Sequence, residues 1–446
     1  MVRPEKDTLA ISSSGHFYIH YDLTGNAAPD LTDQDGNGTP DYVDAVGVIA
    51  DSAHHVLVDI LGYDEESFDG DGGYDIYVMS YGSGSYGYCY VGGNGTSWIQ
   101  IDNDYLGYDL PPIKIMQISL GHEYFHAIHF GYRSTLGSNS YFYEMSAMWF
   151  EDVLIPDGND YLNDWADPFL EDPMESFDNT GNGYELALFG HYLSSFLDPK
   201  GAIDIYQSTI IREMWERFGA TNVSAFSAVQ HILDGENYSL TFIEAWIDFI
   251  GRNLYNGKYE DMENSIYYYE DQALISPISI SLQPLNEDLS FNLFLDDKSV
   301  AIASYTLSEL NSIIGITHSI SDYSGKIAMV STTADNDGNN LFLSSDTTLS
   351  NSTHDIHFIY GTENQASTME ISISLCQSMQ MGDLNGDCDW TILDVVVLIN
   401  CVLAANCADL DNGFGYAGDM DDNDVWNVLD IVALVNCVLA ANCDSC

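Results

Sequence analysis

Lys114 to Arg133, KIMQISLGHEYFHAIHFGYR, is the stretch on which the reading of this chain turns. Histidines four apart on a helix project from one face, a turn apart, so His122 and His126 can reach the same metal ion. Glu123, beside the first of them, is placed to act as a base toward a metal-bound water. Apolar residues surround the pair, among them Ile115, Met116, Ile118, Leu120, Phe125 and Ile128. A helix apolar nearly all round is a buried one. Two histidines and a glutamate are costly to bury there unless something pairs them. A zinc ion would.

The following stretch supports that reading. Tyr141 to Ile155 predicts a second helix, with Glu144, Ala147, Met148 and Glu151 on one face at i, i+3, i+4 and i+7. Glu144 lies 18 positions after His126, room for a helix end, a turn and a return helix. It can therefore serve as third protein ligand and leave the fourth zinc position open. Glu151 could orient a ligand imidazole from behind, or simply lie on the surface.

HEYFHAIHF at 122–130 followed by YEMSAMWFED at 143–152 resembles the gluzincin-type HExxH zinc metallopeptidases. The second ligand helix of that family carries a glutamate ahead of a small residue, an aromatic and an acid. The surroundings are similar to a narrower set of secreted bacterial metalloproteases, through SGHFYIHYD at 14–22, DQDGNGTPDYVD at 33–44, GGYDIYV at 72–78 and YGYCYV at 86–91. The resemblance covers about residues 10–260. It implies a zincin-like domain acting on protein or peptide substrates, with His122, His126 and Glu144 as zinc ligands and Glu123 as the base. Such enzymes stabilise the oxyanion with a Tyr or His outside the motif. Tyr184 or His191 could do so here; core packing or a cap accounts for Tyr184 equally well, and for His191 somewhat better. Met145 departs from the pattern, since relatives often have glycine there, and it should not touch the metal.

The chain has 446 residues, 69 acids against 11 Lys plus Arg, and a formal charge of −58. Such a charge repels nucleic acid and anionic membranes and excludes both as partners. Calcium loops would use part of the acidity in clusters, and a solvated acidic face would account for the rest. With 46% hydrophobic residues, 30 tyrosines and 19 phenylalanines the chain is globular. No apolar run is long enough to insert in a membrane. Seven of the eight cysteines lie from Cys376 onward, four of them in two identical CVLAANC strings at 401–407 and 437–443. That clustering indicates an oxidising compartment. We therefore expect a secreted or extracellular protein whose export signal is missing from this sequence, because the first twenty residues hold no signal-peptide core.

Along the chain, residues 15–23 alternate as a strand. Asp33, Asp35, Asn37, Asp41 and Asp44 then fall at positions 1, 3, 5, 9 and 12 of a loop with glycine at 6, which is calcium-loop spacing ahead of a helix from Val43 to Leu61. An Asp/Gly turn capping that helix would explain the same residues. Tyr81 to Trp98 reads as hairpins, and either it or Ser97 to Asp102 should edge the cleft. Pro156 to Gly183 is an acidic loop placed to line it. Helices are expected at 184–197, 202–218, 221–234 and 239–255.

From Ser276 to Leu375 the pattern becomes short alternating strands, spaced for a β-sandwich. Residues 383–446 hold an internal repeat of period 36. Asp383, Asn385, Asp387, Asp389, Thr391 and Asp394 match Asp419, Asp421, Asn423, Val425, Asn427 and Asp430, each set leading into an apolar helix. Val425 could offer only its backbone carbonyl. Two loop-helix units of this kind resemble type I dockerin modules, which fold around two calcium ions and dock onto cohesin domains. Cys388 and Asp424 occupy the usual glycine position, and Ile392-Leu393 with Val428-Leu429 occupy the partner-contact positions. The CVLAANC cysteines could close each repeat locally, or pair between repeats or with Cys376, Cys388 or Cys446.

The expected architecture is multidomain α+β. It comprises a mainly helical zincin-like metallopeptidase domain with a β-containing N-terminal part (1–272), a β-sandwich accessory domain (273–376) and an all-α dockerin-like module (377–446). The rival reading is a calcium-dependent surface or scaffold binding protein whose HExxH helix is vestigial.

Overall fold

The hairpin β1 (Thr8–Ile11) and β2 (Phe17–Tyr21) opens the fold and turns at Gly15, whose φ of 83° is left-handed. Helix α1 (Asp41–His54) then crosses over, so that β3 (Tyr74–Val78) lies parallel to β2. After β4 (Gly87–Val91) the chain returns as β5 (Ser97–Ile101), inserted between β3 and β4. The sheet order is β1-β2-β3-β5-β4, with β5 parallel to β3 and β4 antiparallel at the edge. All of YDIYV and SWIQI is buried, as strands covered on both faces must be.

Helix α2 (Pro112–Tyr132) carries the HExxH stretch, begins with a proline at its first turn and ends where Arg133 goes extended. Its residues from Leu120 to Phe130 are buried without a break. It packs on α1, on β4 and β5, and on α3 (Ser140–Leu154), the helix that carries Glu144. Gly121 permits the α2–α3 approach, since a Cβ there would stand 2.8 Å from the Leu154 Cδ2. Trp149 of α3 and Trp215 are fully buried beside α2. Truncating either to alanine should cost about 3–5 kcal/mol.

The structure is a computed structural model. It describes the chain apart from Met1, Phe68, Asp71 and residues 165–169, 171–174, 180–182, 255, 257–267, 269, 286, 307–314, 322–325, 334–339, 343–346, 349–352, 364–366, 377–379, 386–389, 410, 441–442 and 444–446. The protein is of mixed α/β type and divides into two compact units. The first runs to Ala245 and takes up Asn253–Asp261 and Tyr267–Ile278. The second comprises Trp246–Arg252, Met262–Ile266 and Ser279–Cys446. No helix among the described residues is long and apolar enough to cross a membrane.

One expected helix starts late. In 202–218 a single 3₁₀ turn at Ile205–Gln207 comes first, and the α-helix begins only at Ile210 and runs to Ala220. The cause is Asp198, whose carboxylate accepts the backbone N–H groups of Thr209 and Ile210 and the Ser208 hydroxyl, fixing the helix start there.

In the second unit, β6 (Leu282–Pro284), β8 (Ser299–Thr306), β10 (Lys326–Thr333), β11 (Asn340–Phe342) and β13 (Thr353–Thr362) form a five-stranded sheet. The strands β7 (Leu289–Leu295), β9 (Gly315–Ser321), β12 (Thr347–Thr348) and β14 (Ser367–Cys376) form a four-stranded one. Tyr305, Phe358 and Tyr360 from one sheet meet Leu295, Ile371 and Ile373 from the other in a single buried cluster. A separate cluster around Leu384, Leu398 and Leu434 holds the duplicated helices Ile392–Ala404 and Val428–Ala440 together.

Candidate metal centre and cleft

On α2, His122 and His126 turn their rings to the same side, with their Nε2 atoms 3.0 Å apart. From α3 the Glu144 Oε2 lies 3.3 Å from the first and 3.2 Å from the second. Among the described residues three groups could hold a metal ion, and this is the buried one built around histidines. The His122 Nδ1 donates to the Glu151 Oε1 at 2.7 Å, so Glu151 orients the first imidazole. Burial would raise the Glu144 carboxyl, but the His126 and His122 imidazoles outweigh it and hold the group well below the usual carboxylate range.

Glu123 projects toward the sheet edge. Burial pushes its carboxyl up despite the two imidazoles. The edge strand β4 presses close here, for a Cβ on Gly87 would meet the Ser119 Oγ at 2.9 Å and the Glu123 Cγ at 3.2 Å. Of the two expected edge segments, the stretch from Ser83 to Val91 borders the cleft, while β5 is interior. The cleft encloses about 890 Å³, and Glu123, Glu144, Glu151 and Asp160 line it together with Tyr86, Tyr88, Tyr90, Tyr108 and Tyr184. Among the described residues that line it there is no lysine or arginine.

Tyr184 stacks on His122, with ring centroids 5.8 Å apart and planes 12° apart. Burial, together with the neighbouring Glu144 and Glu123 carboxylates, pushes its pKa well up. Gly183 sets that position. Its φ is 84°, and a Cβ there would run into the Tyr141 backbone. Of the acidic loop that follows α3, residues 165–169, 171–174 and 180–182 lie outside the described residues.

His191 is not brought to the cleft. It is buried beside Tyr161, ring centroids 5.5 Å apart, and its Nε2 stands 3.5 Å from the Asp152 carboxylate. Burial pushes its pKa down from 6.5 to about 3. Between those values the unfolded chain takes up a proton that the native chain refuses. The contribution to stability is therefore whole above pH 6.5 and declines as pH falls toward 3. A His191→Phe variant should flatten the fall of melting temperature between pH 6.5 and 4.5 by about one proton's worth of slope. An unaltered slope would place the titration elsewhere.

Sequence reasoning passed over His129, buried three residues beyond His126 and touching it. Burial pushes its pKa well below 6.5. The i+3 spacing in HEYFHAIH was the available signal. Met145 is fully buried and does not line the cleft.

The other two groups are all carboxylates, the first largely exposed and the second with Asp419 and Asp430 buried. Asp33, Asp35 and Asp41 bring carboxylate oxygens within 4.8 Å of one another. Asp44 joins through the Asn37 amide, which donates to both Asp35 and Asp44. In the second repeat Asp419, Asp421 and Asp430 converge likewise. Asn423 accepts the Val425 N–H, and the Val425 carbonyl accepts the Asn427 amide. Asp424 adopts a φ of 59°, the left-handed conformation that glycine supplies at this loop position. In the first repeat Asp383 and Asp394 are buried, Thr391 caps the helix, and Asn385 donates its N–H to Asp394. Asp387, Cys388 and Asp389 lie outside the described residues. The cysteines bridge locally, Cys401 to Cys407 and Cys437 to Cys443, each with Cα atoms 4.7 Å apart. Cys89 is a free thiol against Tyr74.

Comparisons with protein-family models, with curated proteins and with solved structures find no match for this chain.

Proposed function

We propose that the chain is a secreted zinc-dependent endopeptidase of gluzincin type, joined to a dockerin-like module that binds calcium and a cohesin-type partner. One observation carries the catalytic reading. The ligand atoms of His122, His126 and Glu144 form a triangle of 3.0, 3.2 and 3.3 Å. Tetrahedral zinc with bonds of about 2.0–2.1 Å needs ligand atoms about 3.3 Å apart. The donor set, two neutral imidazoles and a carboxylate, matches catalytic rather than structural zinc.

When bound, zinc supplies an acidified water and a Lewis acid for the scissile carbonyl. Glu123, buried beside the ligands on the cleft lining, takes the water's proton and returns it to the leaving nitrogen. Tyr184, which lines the cleft and stacks on His122, is placed to donate to the oxyanion as it develops. The edge strand β4 aligns an extended peptide along the cleft.

The cohesin reading rests on the repeat. Ile392 and Leu393 are 63% and 58% exposed, and their counterparts Val428 and Leu429 are each 64% exposed, so both helices offer the same apolar pair. The two local disulfides agree with export.

Elemental analysis of the purified protein tests the catalytic reading. It should find about one zinc per chain, removed by chelation together with peptidase activity. Protein that takes up no zinc would favour a binding protein with a vestigial motif.

A further inference from the structure

We propose that His129 is a positioning residue for this centre, holding the His126 imidazole in the tautomer that leaves its Nε2 bare for the metal. The inference rests on reading His122, His126 and Glu144 as metal ligands. It adds a residue and a proton arrangement that this reading does not contain.

The argument follows hydrogen-bond directions from the far end. The Ser146 hydroxyl has one proton, and it goes to the Phe142 carbonyl 2.8 Å away, an acceptor that can never donate. The Trp215 indole N–H, which can only donate, points at the same Ser146 oxygen at 3.1 Å. The His129 Nε2 stands 3.1 Å from that oxygen too. With its proton committed, Ser146 can only accept, so the His129 Nε2 carries the ring's proton. The His129 Nδ1 is then a bare acceptor, and the His126 Nδ1 lies 3.4 Å from it. His126 must donate there, which leaves its Nε2 lone pair facing the Glu144 and His122 ligand atoms.

His129 is 0% exposed, so no solvent replaces Ser146. Its ring stacks on Trp215 with centroids 4.0 Å and planes 11° apart, which blocks rotation. The two ligand imidazoles are thus held by different means, His122 by the Glu151 carboxylate and His126 by a neutral ring. A carboxylate in the second position would add another negative charge to Glu123, Glu144 and Glu151 at one buried site. A histidine orients His126 without that repulsion.

The test is zinc affinity of the full chain, measured by competition with a chromophoric chelator after the metal has been stripped. His129→Leu removes the acceptor and should weaken zinc binding about 10–100-fold. His129→Gln offers an amide oxygen at similar reach and should recover most of that loss, with the metal-free melting temperatures of the two variants alike. Wild-type affinity in His129→Leu, or an equal loss in both variants, overturns the assignment. If His129→Leu does not fold, Ser146→Ala releases the tautomer lock and should weaken zinc binding in the same direction; unchanged affinity there also overturns it. Wild-type protein that binds no zinc fails the peptidase proposal and this one together, whereas zinc binding indifferent to His129 fails this one alone.

Discussion

Glu123→Gln should retain its zinc and lose peptide-bond hydrolysis by about 10²–10⁴-fold. The substitution changes little but the proton chemistry. Glutamine matches glutamate in shape, and the close approach of Gly87 leaves no room for the side chain to swing toward β4. The three metal ligands come from other residues, so metal content should stay near one per chain. What is lost is the group that takes a proton from the attacking water and delivers it to the leaving amine. Both transfers occur in transition states, so kcat should fall while KM stays near its original value. The reading fails if turnover of a protein substrate is unchanged. It fails differently if activity and zinc vanish together, for then Glu123 would be holding the metal.

The parts legible in the sequence are those set by local geometry. The HExxH spacing, the return helix with Glu144 and the loop positions 1, 3, 5, 9 and 12 are each read from one helix or one turn; His122, His126 and Glu144 converge, and so do the carboxylates of Asp33, Asp35 and Asp41 and of Asp419, Asp421 and Asp430. Tyr184 and His191 show where that legibility stops. They are seven apart on a stretch that reads as one amphipathic helix, so periodicity assigns both to nearly the same face. The segment in fact opens as a 3₁₀ turn at Tyr184–Leu186 and closes as a π turn at Tyr192–Leu197. Gly183 throws Tyr184 against His122, while His191 packs beside Tyr161. The role of His129 was hidden for another reason. It depends on Ser146 and Trp215, which belong to two different helices, and on which atom of each carries a proton. No one-dimensional pattern encodes that. The late start of the helix at Ile210 is a similar case, fixed by the Asp198 carboxylate reaching forward to Thr209.

In the duplicated module the largest effect should come from the last acid of each loop. Asp394 is 0% exposed, and its carboxylate accepts the N–H groups of Leu384 and Asn385 on one oxygen and of Thr391 on the other. Asp430 repeats the pattern with Met420 and Asn427. Each aspartate therefore ties the start of its loop to the start of its helix and adds a buried negative charge. Three N–H donors at Asp394 and two at Asp430 only partly offset that charge, and in the second repeat Asp419 and Asp421 add two more charges close by. A bound calcium ion would complete the balance and make the loop favourable to close. Alanine at 394 or 430 removes a ligand and orphans the backbone donors, each bond to a charged acceptor being worth about 1.5–3 kcal/mol. Asp394→Ala and Asp430→Ala should each remove one calcium from the stoichiometry found by calorimetric titration of the full chain. The double variant should lose both, together with calcium-dependent binding to a cohesin-type domain. The local disulfides close only the ends of the two helices and leave the loops free to open. They should not rescue binding. Unchanged stoichiometry in the double variant would mean that these buried carboxylates serve as helix caps alone.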